Sequence, residues 1–251
     1  MTPITELPST GLPVGGVSSR VIVCGDPARA DRIAERLEGA SLLSHKREYR
    51  GHGGTYNGTP VTVCSHGIGA PGAAIAFEEL IVAGGQTIIR VGTCGGLQPY
   101  IQPGALIIAT AAVQNTGYGR QSVPDGYPAV ADPALVLSLR RAAAAGGHHT
   151  HAGIVLSQDS FYPGVAAPAR PDYRVMSQAH VLAVEMECAA LFLVGSLRGA
   201  KTAAILIADG NVLETPEAVE SYQPDREVVR AATDAAIICA LEVLCNPDRL
   251  I

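Results

Sequence analysis

TIIRVGTCGG, running from Thr87 to Gly96, decides how the chain is to be read. It opens as a short apolar run with β-branched Ile88, Ile89 and Val91, the composition of a buried strand. Arg90 interrupts that run, and a guanidinium in a buried strand is costly unless an anion or a carboxylate pairs with it. The run then breaks into Gly92, Thr93, Cys94, Gly95 and Gly96. A glycine-rich turn after a strand lets backbone N–H groups approach a ligand, and Thr93 adds a hydroxyl. Two readings follow. One is an oxyanion pocket at the carboxyl end of a sheet strand; the other is an arginine paired with a buried acid beside an ordinary turn.

The chain has 251 residues, and 47% of them are hydrophobic against 16% charged, enough apolar material for one large α/β domain over 1–251. A net charge of −5 with no basic stripe argues against nucleic acid as a partner. The sequence shows no long apolar run of membrane-spanning length and no basic-then-apolar leader. Cys24, Cys64, Cys94, Cys188, Cys239 and Cys245 show no CxxC spacing and lie mostly in apolar runs. They read as small core residues of a reducing, cytoplasmic setting rather than as disulfides or metal ligands.

Residues 1–19 are rich in Pro, Gly and Ser and predict an extended arm. Arg20 to Cys24 predicts a strand, Asp26 an N-cap, Pro27 a first helical position, and Ala28 to Leu37 a helix. Gly25 and Arg29 at this junction suit either an anion site or a plain capped turn. Asn57-Gly58 predicts a tight hairpin between two strand-like runs. Gly67 to Gly72 is formally GxGxxG, between the strand Pro60 to Ser65 and the helix Gly72 to Val82. A dinucleotide site would want an acid about 20 residues on, where Arg90 stands, so these glycines read as close backbone packing near the pocket.

Further along, Ala105 to Val113 predicts a strand and Asp132 to Ala145 a helix. His148, His149 and His151 read as a polar turn before the strand Ile154 to Ser157, because no acid or cysteine lies at metal-ligand spacing. Ser157 to Tyr162 (SQDSFY) has the polar and aromatic composition of a pocket rim. Val184-Glu185-Met186-Glu187 opens an apolar helix to about Leu197. Its carboxylates suit either the helix dipole or a ligand, and the apolar surroundings turn at least one inward. Thr202 to Ala208 predicts a strand with Asp209 at its end, a turn residue or a site acid. Arg226 to Leu244 predicts a final helix. Strands alternate with helices throughout.

Taken in order, VIVCGDPARADRI, KREY, VTVCSHGIGAPGAAIAFEELI, IIRVGTCGGLQP, SQDSFYPG, AVEMECAALF and ILIADG resemble the hexameric nucleoside phosphorylase family. That family holds the purine nucleoside and uridine phosphorylases, and several of these runs look closest to purine enzymes of apicomplexan parasites. The resemblance implies a mixed central sheet, partly closed and barrel-like, flanked by helices. It implies phosphate held by Gly25, Arg29, Arg90 and Thr93, with Arg47 reaching in from a neighbouring subunit. It implies ribose contacts from Met186 and Glu187, with Thr93 adjoining both substrates, and a base near Phe161 and Val184. Asp209 becomes the acid that protonates a purine nitrogen. Arg90, Glu187 and Asp209 are then the residues nearest the chemistry. No metal and no cofactor beyond the co-substrate phosphate is implied, and the assembly is a homo-oligomer, a hexamer built as a trimer of dimers.

Two departures qualify the resemblance. Where the family usually carries an arm histidine for the sugar 5′-hydroxyl, spacing from Gly25 brings Ser9. After the SxDxFY segment the Gln-x-Arg of uridine phosphorylases is missing, which with Asp209 favours a purine. Arg170 and Arg174 keep a pyrimidine reading open. The implied reaction is phosphorolysis of an N-glycosidic bond, with Asp209 protonated through a raised pKa in its apolar strand.

Overall fold

Strand β5 (Thr87–Gly96) changes partners halfway along its length, and that exchange creates the space for a site. Residues Thr87 to Arg90 pair in parallel with β1 (Arg20–Cys24), in register from Arg20↔Thr87 to Val23↔Arg90. Beyond Arg90 that partner ends, and β9 (Ala183–Glu185) takes the same edge antiparallel at Gly95↔Val184 and Gly96↔Ala183. The other edge of β5 is held in parallel by β10 (Lys201–Asn211) from Thr87 to Gly96.

The computed structural model describes residues 4–162, 164–165, 170–214 and 226–246. From β9 the sheet continues through β8 (Thr150–Gln158) to β6 (Leu106–Asn115), and β6 pairs antiparallel with β10. The five strands β5, β10, β6, β8 and β9 thus close a ring. From β1 the sheet runs on as an open wing through β4 (Thr59–Ser65), β3 (Tyr49–Tyr56) and β2 (Glu38–Lys46). The two-residue β7 (Ala129–Val130) adds to β6. This is the mixed, partly closed sheet flanked by helices that the resemblance implies.

Alternation along the central strands sorts side chains to two faces. Ile88, Leu206 and Ala208 pack with Phe77 and Leu80 of α2 (Ala70–Val82) and with Phe192 of α6 (Cys188–Arg198). Ile89, Val91, Ile205 and Ile207 pack instead with Ile33 of α1 (Pro27–Ala34), Leu139 of α4 (Pro133–Ala145) and Ile237 of α7 (Glu227–Cys245). Phe77 and Phe192 are fully buried, each worth about 1.5–3 kcal/mol by transfer. Short helices α3 (Gly117–Ser122) and α5 (Tyr173–Gln178) complete the described elements.

Local chemistry accounts for the junctions. Asp26 accepts the Ala28 N–H at 2.9 Å with Pro27 at the first helical position, and Asp132 caps α4 in the same way. Asn57 and Gly58 both take positive φ, 50° and 74°, as a tight hairpin requires.

Several expectations need correction. Helix α1 stops at Ala34, short of Leu37, and α7 starts one residue later than expected. Gly92 to Gly96 is no turn: the glycines continue the strand, because β10 and then β9 supply ladder partners. Asp209 lies within β10 rather than after it. His151 belongs to β8, its ring 5.0 Å from that of His149, so only His148 and His149 precede the strand. The N-terminal residues do not extend freely. Leu7 donates to the Leu12 carbonyl, Glu6 bridges Pro13, and Leu7, Leu12 and Val17 are buried. Glu79 on α2 holds this turn by accepting the N–H groups of Ser9 and Thr10 and the Thr10 hydroxyl at 2.7–2.9 Å.

Finally, Val184 to Glu187 does not open a helix. Val184 and Glu185 finish the short strand β9, and α6 begins at Cys188 with Glu187 as its N-cap residue.

Candidate active site

Arg90 rises from the face of β5 that meets the N-termini of α2 and α6. Its Nη2 donates to Glu187 Oε2 at 2.5 Å and stands 3.4 Å from Glu185 Oε2. All three side chains are buried. The guanidinium therefore has the buried acid that one sequence reading required, while its Nε meets no acceptor among the described residues. Burial works against the charge on Arg90, but Glu187 and Glu185 outweigh it and hold the guanidinium above its ordinary range. Burial pushes the Glu187 carboxyl above the usual carboxylate range, with Arg90 pulling the other way and Glu185 adding to the rise.

Glu187 ties two helix starts together. Its Oε1 accepts the N–H of Gly69, the residue before α2, at 2.6 Å. Glu185 is fixed more tightly still: Oε2 accepts the N–H groups of Glu187 and Cys188 at 2.8 Å, and Oε1 accepts the Ser157 hydroxyl. Ser157 in turn accepts the Ala189 N–H at 2.9 Å. Glu185 thus does the capping that the N-cap side chain does not.

Beside this network lies a cavity of about 970 Å³. Gly25, Arg29, Arg90 and Thr93 line it, as do Met186, Glu187, Val184, Phe161 and Asp209. Arg29, in the first turn of α1, donates to the Val91 carbonyl at 3.2 Å. Gly25 lies where β1 ends, its carbonyl accepting the Gly67 N–H; a Cβ there would sit 3.2 Å from the Gly67 carbonyl oxygen. Gly67 and Ile68 line the cavity as well, which is the close backbone packing read from the GxGxxG stretch.

Asp209 occupies an irregularity. The β10–β5 register passes from Ala208↔Cys94 to Gly210↔Gly95, so Asp209 is the extra residue of a bulge. Bulges re-aim side chains out of the alternating pattern, and this one leaves Asp209 half-buried on the cavity wall. Cys94 also lines the cavity, but burial raises its thiol far above the ordinary value and keeps it neutral.

Arg47 is not brought to this cavity. It sits exposed in the tight β2–β3 connection with φ at 58°. Ser9 is likewise absent from the lining, since its N–H is spent on Glu79. Arg170 is 5.5 Å from the Tyr173 ring centre, and neither it nor Arg174 lines the cavity. Composition left Glu185 and Glu187 undivided, the resemblance singled out Glu187 alone, and Glu185, Ser157 and Gln158 were missed as individual residues. The SQDSFY composition was the available signal for the last two.

A family model described as the phosphorylase superfamily matches residues 19–244. A uridine phosphorylase of Treponema pallidum is 37% identical over 234 residues, covering 90% of this chain and 91% of its own. A purine nucleoside phosphorylase of Plasmodium vivax is 39% identical over 78% of this chain and 80% of its own. The crystal structure of a purine nucleoside phosphorylase from Toxoplasma gondii, in complex with immucillin-H, superposes with a TM-score of 0.92 at 33% identity, covering 100% of both chains. With a ring of strands opening onto paired arginine and glutamates, and with these relatives, the chain belongs to the phosphorylase superfamily as one of its nucleoside phosphorylases, enzymes that transfer pentosyl groups.

Proposed function

We propose that the protein is a purine nucleoside phosphorylase, cleaving a (deoxy)ribonucleoside such as inosine or guanosine with phosphate to free base and pentose 1-phosphate. The observation that carries this is one cavity lined at once by Arg29, Arg90, Thr93, Glu187 and Asp209. Breaking the N-glycosidic bond builds positive charge on the sugar and negative charge on the base. Phosphate held by Gly25, Arg29, Arg90 and Thr93 stabilises the first from beneath the anomeric carbon. Met186 and Glu187 fix the sugar hydroxyls. Asp209, re-aimed by its bulge beside Phe161 and Val184, donates a proton to the leaving purine. The reaction written this way needs no metal and no organic cofactor.

The homo-oligomer belongs to the same reading: a hexamer, a trimer of dimers, in which Arg47 of one subunit completes the phosphate site of the next. The exposed position of Arg47 outside its own chain's cavity supports it. All six cysteines are free, which favours a reducing, cytoplasmic setting.

Uridine is the second substrate to weigh, because the Treponema pallidum relative is a uridine phosphorylase. The deciding experiment measures base release from inosine and from uridine, each with and without phosphate. Phosphate-dependent hypoxanthine release as the faster reaction supports the proposal. Faster uracil release moves the base assignment, and release without phosphate makes the enzyme a nucleosidase.

A further inference from the structure

Gln158, the last residue of β8, is 2% exposed and lines the cavity, yet half of its amide is unused. Its Nε2 donates to the Ser160 carbonyl at 2.9 Å and to the Tyr173 hydroxyl at 2.5 Å. A carbonyl can only accept, so Ser160 fixes which end of the amide faces it. Oε1 is thereby turned away from Ser160, and it meets no donor among the described residues. A buried amide oxygen left without a donor is costly and rare in a packed protein.

Resting on the phosphorylase reading above, we infer that Gln158 Oε1 accepts a ring N–H of the base, and so makes the enzyme selective for 6-oxopurine nucleosides. The chemistry restricts the group it can read. Both Nε2 hydrogens are already committed, so the amide has nothing to donate to a ring nitrogen or a carbonyl. It can only accept. A 6-oxopurine presents N1–H, whereas adenine presents a bare N1 lone pair at that ring position. The side chain is also held in place: Tyr173 begins α5 and the 158–160 contact is local, so the orientation of the amide is set before any ligand arrives. A site built around such an acceptor discriminates strongly against an analogue that lacks the hydrogen, because the oxygen then stays buried and unpaired.

The test compares phosphorolysis of inosine and 1-methylinosine by the wild type and by Gln158→Leu, which keeps the side-chain size and removes the acceptor. The wild type is expected to favour inosine by tenfold or more in kcat/KM. In the variant the inosine value drops tenfold or more while the 1-methylinosine value is unchanged. Equal losses on both substrates reduce Gln158 to a structural residue and overturn the inference. A gain on 1-methylinosine with no loss on inosine also overturns it, since exclusion is then steric. Calorimetry of the wild type with hypoxanthine and 1-methylhypoxanthine reads the same contact without a variant; equal affinities overturn the inference too. If the wild type releases no base from inosine with phosphate, the purine nucleoside phosphorylase reading itself has failed, a result distinct from all of these.

Discussion

The guanidinium of Arg90 folds back over Gly92, two residues further along the same face of β5. A Cβ built on Gly92 would lie 2.2 Å from Arg90 Nη1 and 2.5 Å from its Cζ. The glycine at this place is thus a requirement of the arginine rather than of a turn. It lets the charged group lie flat against the strand and reach Glu187.

Gly92→Ala should therefore act through Arg90. The guanidinium is buried and held by Glu187, so it cannot swing aside without breaking a buried ion pair. Overpacking of this kind costs about 1–3 kcal/mol. We expect a lower midpoint of urea unfolding together with a raised KM for phosphate. An alanine variant with wild-type stability and phosphate KM would show that Arg90 does not need this space.

Asp209→Asn separates the proposed base site from the proposed phosphate site. A positioned general acid contributes about 10²–10⁴-fold to a rate. The loss in kcat should fall in that range for inosine and be much smaller for uridine, with phosphate KM unaffected. Equal losses on both nucleosides would remove Asp209 from its assigned role as acid to a purine nitrogen.

How far these residues could be read from sequence depended on the range of the interaction that fixes them. Arg90 was conspicuous because a charge in an apolar run demands a partner, whatever that partner is. Asn57-Gly58 and the Asp26-Pro27 helix start were legible because a turn and a cap are settled within four residues. The start of α6 was misplaced because its cap comes from Glu185, held by Ser157 nearly thirty positions away, and because β9 is three residues long and exists only by pairing with β5 and β8. The N-terminal residues looked free since Glu79, which holds Ser9 and Thr10, is about 70 residues distant. The unused oxygen of Gln158 shows no trace in composition at all; it emerges only when Ser160 and Tyr173 have taken the other end of the amide.

Ser157→Ala tests the network behind the glutamates. The change strips the hydroxyl from Glu185 Oε1 and leaves the Ala189 N–H, a first-turn donor of α6, without its acceptor. Unpaired buried groups of this kind cost about 1–3 kcal/mol. Because Glu185 also holds the N–H of Glu187, the carboxylate proposed to bind the sugar should lose its fixed position. The expected result is a lower melting temperature with a higher nucleoside KM and an unchanged phosphate KM. A drop in stability that leaves both KM values alone would confine Ser157 to capping the helix.

His66 gives the fold a pH dependence whose sign can be worked out. The residue directly follows β4 and is fully buried; its Nδ1 lies 2.9 Å from the Gly67 carbonyl, its Nε2 has no partner among the described residues, and its ring meets Phe77 edge-on at 5.3 Å. Burial first, and then the positive charges of Arg90 and Arg29, hold the imidazole well below its ordinary value of 6.5. Nδ1 is then the protonated nitrogen of a neutral ring, donating to the carbonyl. Below pH 6.5 the unfolded chain binds a proton here that the folded protein refuses, so the stabilising term is complete above 6.5 and is lost as pH falls from there toward the depressed folded pKa. The limiting slope from this one group is about 1.4 kcal/mol per pH unit. Urea unfolding followed from pH 7.5 down to pH 5 should show the wild type losing stability more steeply than His66→Gln, the two curves converging in slope above neutrality. Parallel curves across the acid range would mean that His66 takes up its proton in the folded state as readily as in the unfolded chain.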